Sequence, residues 1–103
     1  MIMKTSFKLT ELSENTLVGR DVGMRTRHKI KGLVEKNSKI TIDMENKSDI
    51  SLSFLDEAIV TLVLEYGKDR FLNLIELKNI HNNTRGLMNF ILHDKQKRLS
   101  VAV

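Results

Sequence analysis

The sequence predicts a small α/β domain: a mainly parallel or mixed sheet of three to four strands, packed with three helices. Three observations predict it. The spacing of apolar residues switches repeatedly from alternation to a helical period and back. Strand-like and helix-like segments follow one another in order, which favours parallel strands joined by right-handed crossovers. The 103 residues contain no proline, repeat or low-complexity linker, so they fit a single domain over 1–103.

The first strand is read from Met3, Thr5, Phe7 and Leu9, which alternate with Lys4, Ser6 and Lys8. A polar loop, Thr10 to Asn15, follows. From about Arg20 to Lys36 the pattern is helical: Val22, Ile30, Leu33 and Val34 share a stripe, with Thr26 between them. Gly23 and Gly32 weaken this helix, so packing must hold it. Ile40, Ile42 and Met44 then alternate with polar residues as a half-buried strand. The next helix runs from Ser53 to Tyr66, with Gly67 as its terminating residue. Ser53 is read as its N-cap and Asp56, three residues on, as the acid of a capping box. A strand over Leu72 to Leu77 is nearly continuously apolar, as for a strand covered on both faces. Asn82 or Asn83 caps a last helix through about Lys95, with Leu87, Phe90 and Ile91 as its buried stripe. Leu99, Val101 and Val103 alternate as a short closing strand.

Composition narrows the function. Hydrophobic residues make up 41% and charged residues 29%, a balance that supports one modest core. The absence of cysteine excludes a disulfide scaffold, a thiolate metal site and a cysteine nucleophile. Met1-Ile2-Met3-Lys4 has no apolar signal core and no run is long enough to span a membrane, so the expectation is a cytoplasmic protein. Asn82-Asn83-Thr84 is then a chance glycosylation match. The net charge of +4 invites nucleic acid, but at 5% aromatic residues stacking platforms are scarce.

On the helix from Ser53, Leu55, Ala58, Ile59, Leu62, Val63 and Tyr66 form a core stripe, and Glu57, Thr61 and Glu65 a polar one. Phe54, Val60 and Leu64 flank the polar stripe. Either a neighbouring element of the same domain covers them, or they form a partner or self-association surface.

The stretch Ile50-Ser51-Leu52-Ser53-Phe54-Leu55-Asp56-Glu57-Ala58 resembles the core motif of a bacterial STAS-like family of unknown function. Arg20, Gly23, the strand Ile40-Thr41-Ile42-Asp43 and the helix after Asn79 resemble it too, over roughly residues 17 to 95. The resemblance implies a regulatory role, because related STAS domains include anti-sigma-factor antagonists. In those, an ATPase-fold serine kinase phosphorylates a serine or threonine at a helix N-terminus. By position Ser53 matches that phosphoacceptor. Ser51 stands where the antagonists have aspartate, and Phe54 stands where they have glycine and is expected to crowd a kinase. The expected contact set is Ser51, Phe54, Glu57, Val60 and Leu64 around Ser53. Ser53 is also explained as a plain cap. A phosphate there would be favoured by the helix dipole and opposed by Asp56 and Glu57.

Other chemistry is thinner. His28, His81 and His93 show no metal-ligand spacing, so neither a metal nor a cofactor is expected. Asp43 ends a strand without an acid–base partner, and hydrogen bonding to the next loop is expected of it. Gly19 to Gly23 lacks the lysine and hydroxyl of a phosphate-binding loop. No enzymatic activity is expected. Arg20, Arg25, Arg27, Lys29 and Lys31 form a basic cluster on the first helix. It reads as a solvated face, a surface for an acidic protein, or a nucleic-acid contact. The last is the alternative function: an accessory protein that binds nucleic acid through this helix.

Overall fold

The computed structural model describes residues 4–101, with side chains described through Lys97. Three strands, β1 (Ser6–Lys8), β2 (Ile40–Asp43) and β3 (Ile75–Lys78), form a parallel sheet in the order β1-β2-β3. Ile42 of β2 lies between Phe7 and Leu77 in register. Both connections step in the same direction across the sheet. Right-handed crossovers therefore place their helices on one face. Burial agrees: Ile40, Ile42 and Ile75 are buried, whereas Ser6, Lys8, Glu76 and Lys78 on the other face are exposed. The architecture is thus two layers, within the predicted class.

The first connection carries α1 (Leu9–Leu12) and α2 (Arg20–Asn37). The predicted loop after β1 is helical because Glu11 reaches back to accept from the Lys8 N–H (3.1 Å), while Leu9 and Leu12 enter the core. Leu9 accordingly leaves the strand, and Met3 lies outside the described residues. The α2 helix follows its predicted stripe, with Thr26, Ile30 and Val34 buried.

The second connection begins as one continuous rod: α3 (Leu52–Leu55), a π turn over Asp56–Val60, and α4 (Thr61–Tyr66). Gly67, at φ 84°, ends it, and α5 (Lys68–Leu74) follows. Residues Leu72 to Leu74, expected in a strand, are therefore helical. Phe71 is buried while Leu72 is 59% exposed. Short apolar runs read equally as strand or helix, and the tight glycine turn restarts a helix here. Only Ile75–Lys78 is strand, and it is covered on one face, not two.

The last helix, α6 (Asn82–Val101), starts at His81, whose carbonyl accepts from the Arg85 N–H and whose Nδ1 accepts from the Asn83 N–H (3.0 Å). Neither asparagine is the cap. Ile91 is buried, but Phe90 is 64% exposed, so it leaves the predicted stripe. Thr84 takes a core place instead, its hydroxyl donating to the Lys47 carbonyl (2.8 Å). The helix continues through Val101 where a closing strand was expected; Val103 lies outside the described residues.

Candidate interaction site

The residues singled out by the sequence gather where α2 and α3 begin. Ser51, not Ser53, caps the rod: its Oγ accepts from the Phe54 N–H at 3.1 Å. The same oxygen accepts from the Gly19 N–H at 3.1 Å, and the Ser51 N–H donates to the Leu17 carbonyl. One serine thus fastens the starts of both helices together. Its two acceptor positions are filled, so its hydroxyl proton is left to donate to Ser53 Oγ, 3.2 Å away. Ser53 is half-buried, and its own proton is not needed for that contact.

The expected capping box is absent because Asp56 is used elsewhere. It is 6% exposed and sits at the start of the π turn. Arg20 binds its Oδ2 at 3.0 Å, and Lys95 from α6 binds its Oδ1. Burial pushes the Asp56 carboxyl up, but the hydrogen bonds from Lys95 and Arg20 outweigh it and hold the group below the usual carboxylate range. Glu57 is bound by Arg27 at 2.9 Å and by Arg20 at 3.0 Å, and the Arg27 hydrogen bond chiefly lowers its pKa. Asp56 and Glu57 are therefore already neutralised. Three cations face these two carboxylates, so both acids expected to oppose a phosphate on Ser53 are paired within the chain.

A π turn decides where the side chains of the expected contact set lie. The Asp56 carbonyl accepts from both the Thr61 N–H and the Thr61 hydroxyl (2.8 Å), bonds that span five residues. One extra residue in a turn sets back everything after it by about 100°. Val60 thereby swings into the core, at 2% exposure. Phe54 is fully buried because α2 lies on its side of the rod. Gly23 makes that approach: a Cβ there would stand 2.9 Å from the Phe54 carbonyl oxygen and 2.9 Å from the Glu57 Cβ. So the Phe54 ring is covered within the chain itself. Leu64 is half-buried against the core, and Glu57 and Ser51 are half-buried in the bonds just described.

The exposed apolar side chains near the junction are others: Val18 (61%), Met24 (42%) and Leu52 (43%). Val18 lies between Leu17 and Gly19, both hydrogen-bonded to Ser51, and Leu52 follows that serine. The sequence held a signal for Leu52. Taking Ser51 as the cap makes it the first helical residue, which has no inner neighbour to cover it.

The basic cluster is mostly consumed within the chain. Besides Arg20 and Arg27, Lys29 pairs with Glu14 (3.1 Å) and Lys31 with Glu65 (2.8 Å). Arg25 is the exposed member with no ion pair among the described residues. Asp43 accepts from the Glu45 N–H (2.8 Å) and the Asn79 amide (2.9 Å), which fixes the loops at the carboxyl ends of the strands. These hydrogen bonds, the Asn79 one first, lower its pKa. No three His, Asp or Glu side chains converge as metal ligands among the described residues, and no helix there is long and apolar enough to cross a membrane.

A parallel sheet covered on one face by crossover helices, with a serine-capped helix after its middle strand, defines a small α/β domain of the STAS-like type. A family model described as a STAS-like domain of unknown function matches residues 23–85, and the chain belongs to that family. No curated protein and no solved structure matches.

Proposed function

We propose that this domain is a regulatory protein-binding module, not an enzyme, and that it binds an ATPase-fold serine kinase or a similar signalling protein at the α2–α3 junction. The observation that supports it best is the junction itself. Ser51 holds two helix starts rigidly, and Val18 and Leu52 stand exposed beside the Ser53 hydroxyl. A rigid platform with apolar anchors loses little entropy on binding.

Ser53 is the proposed phosphoacceptor. Its proton is free of the Ser51 bond, and the two acids within a turn of it on the rod, Asp56 and Glu57, are already paired with Arg20, Arg27 and Lys95. A phosphate there adds charge to an apolar contact surface and so releases a partner that docks on Val18 and Leu52. The internal pairing of the α2 cations gives the nucleic-acid alternative no support.

The test is capture from the host by the tagged chain, with intact mass of the bait. Recovery of a kinase-like ATPase by the wild type, and its loss with Ser53→Asp but not Ser53→Ala, is the expected result. Equal recovery by both variants would exclude Ser53 as the switch.

A further inference from the structure

The open edge of β3 carries an arrangement that the junction does not explain. In register with Ile42, Leu77 faces along the sheet, and the Lys78 carbonyl accepts from the Met44 N–H. Lys78 and Glu76 therefore direct their backbone groups toward β2. Successive residues alternate, so the N–H and C=O of Leu77 point away from the sheet. Among the described residues no hydrogen bond reaches them.

We propose that this edge pairs with the same edge of a second copy, antiparallel, with Leu77 on the two-fold axis. Leu77 then exchanges both hydrogen bonds with its counterpart, as a hydrogen-bonded antiparallel pair does. The register sets Glu76 opposite Lys78 of the other copy, twice, on the exposed sheet face. An edge with charges of one sign repels its copy, which is the common protection against such pairing. Here opposite signs flank an apolar centre, and the edge is self-complementary. Within one chain the two side chains already lie on the same face, 3.6 Å apart, and both are about half exposed. The other edge lacks the property: centred on Phe7, β1 would set Ser6 against Lys8.

The flank of β3 fits an apolar contact. A concavity of 480 Å³ runs beside the strand, lined in part by Phe71, Leu72, Leu77, Ile80 and Met88. Leu72 is among the most exposed apolar side chains described. Joining the two sheets gives six strands with the helices of both copies on one side.

The test is sedimentation velocity over a concentration series with charge-reversed chains. Wild type is expected to dimerise, and E76K and K78E each to dimerise about tenfold or more weakly, since both cross-strand pairs turn repulsive. An equimolar mixture of E76K and K78E restores both pairs and is expected to dimerise, as is the double variant E76K/K78E. The double variant keeps the composition of the edge, so it serves even if a single variant folds poorly. A wild type that stays monomeric at the highest concentration overturns the proposal and leaves the edge to a strand of another protein. A dimer indifferent to both reversals, or reversals that the mixture does not rescue, overturns it as well.

Discussion

Ser51 and Ser53 are two residues apart and carry the same hydroxyl, but only Ser51 holds backbone. Its Oγ accepts from two N–H groups, one on each helix start. Ser51→Ala should cost about 1–2 kcal/mol, because both donors lose their partner. Ser53→Ala should cost less than about 0.5 kcal/mol. Chemical denaturation of the two variants measures the difference. Asp56 makes a second residue-scale case. It is held ionised by Lys95 and Arg20 in a nearly buried position. Asp56→Asn keeps the shape but removes the charge, and should cost about 2 kcal/mol. Neither role was legible from spacing. Two serines in the sequence Ser51-Leu52-Ser53 offer equal caps, and the acid three residues after Ser53 favoured the wrong one. The decision rests on Gly19 and Lys95, 32 and 39 residues away from the residues they meet.

At the scale of elements, the helical glycines of α2 and α6 fall into two kinds. Gly23 faces the rod, and a methyl group there collides with the Phe54 carbonyl. Gly32 and Gly86 meet nothing within 4 Å. Gly23→Ala should therefore destabilise by about 1–3 kcal/mol, despite alanine's better helix propensity. Gly32→Ala and Gly86→Ala should each stabilise by about 0.5–1 kcal/mol. Thermal melts of the three variants check opposite signs for one substitution. The helices with long periodic stripes were legible for the same reason: the α2 stripe and its boundaries follow from Val22, Thr26, Ile30 and Val34. The π turn was not, because a uniform 100° step carries no sign of the residue that widens the turn. That single residue accounts for the inward Val60. The α5 helix was missed because Phe71 to Ile75 is too short an apolar run for its period to show. Gly67 ends one helix and also starts another.

At the scale of the whole molecule, a parallel sheet with helices packed on it follows from the alternation of patterns, and the family resemblance from the segment around Ser53; the strand order does not. What the pattern does not contain is which charges meet. Arg20, Arg27, Lys29 and Lys31 look like a free basic face in the sequence, yet each finds an acid from another segment. This has a pH consequence. Asp43, Asp56 and Glu57 all titrate below their ordinary values in the fold. The unfolded chain therefore binds protons first as pH falls. The stability from these groups is present above the usual carboxylate range and is lost as the pH drops from about 5. Melting temperature should fall over that window, and Asp56→Asn should flatten the fall.

The α2–α3 junction is the proposed contact surface of a regulatory module. Capture from the host with the wild type, Leu52→Asp and Gly86→Ala as baits tests it most directly. Wild type and Gly86→Ala are expected to recover the same kinase-like ATPase, and Leu52→Asp, folded by circular dichroism, is expected to lose it. Equal recovery by Leu52→Asp would contradict it.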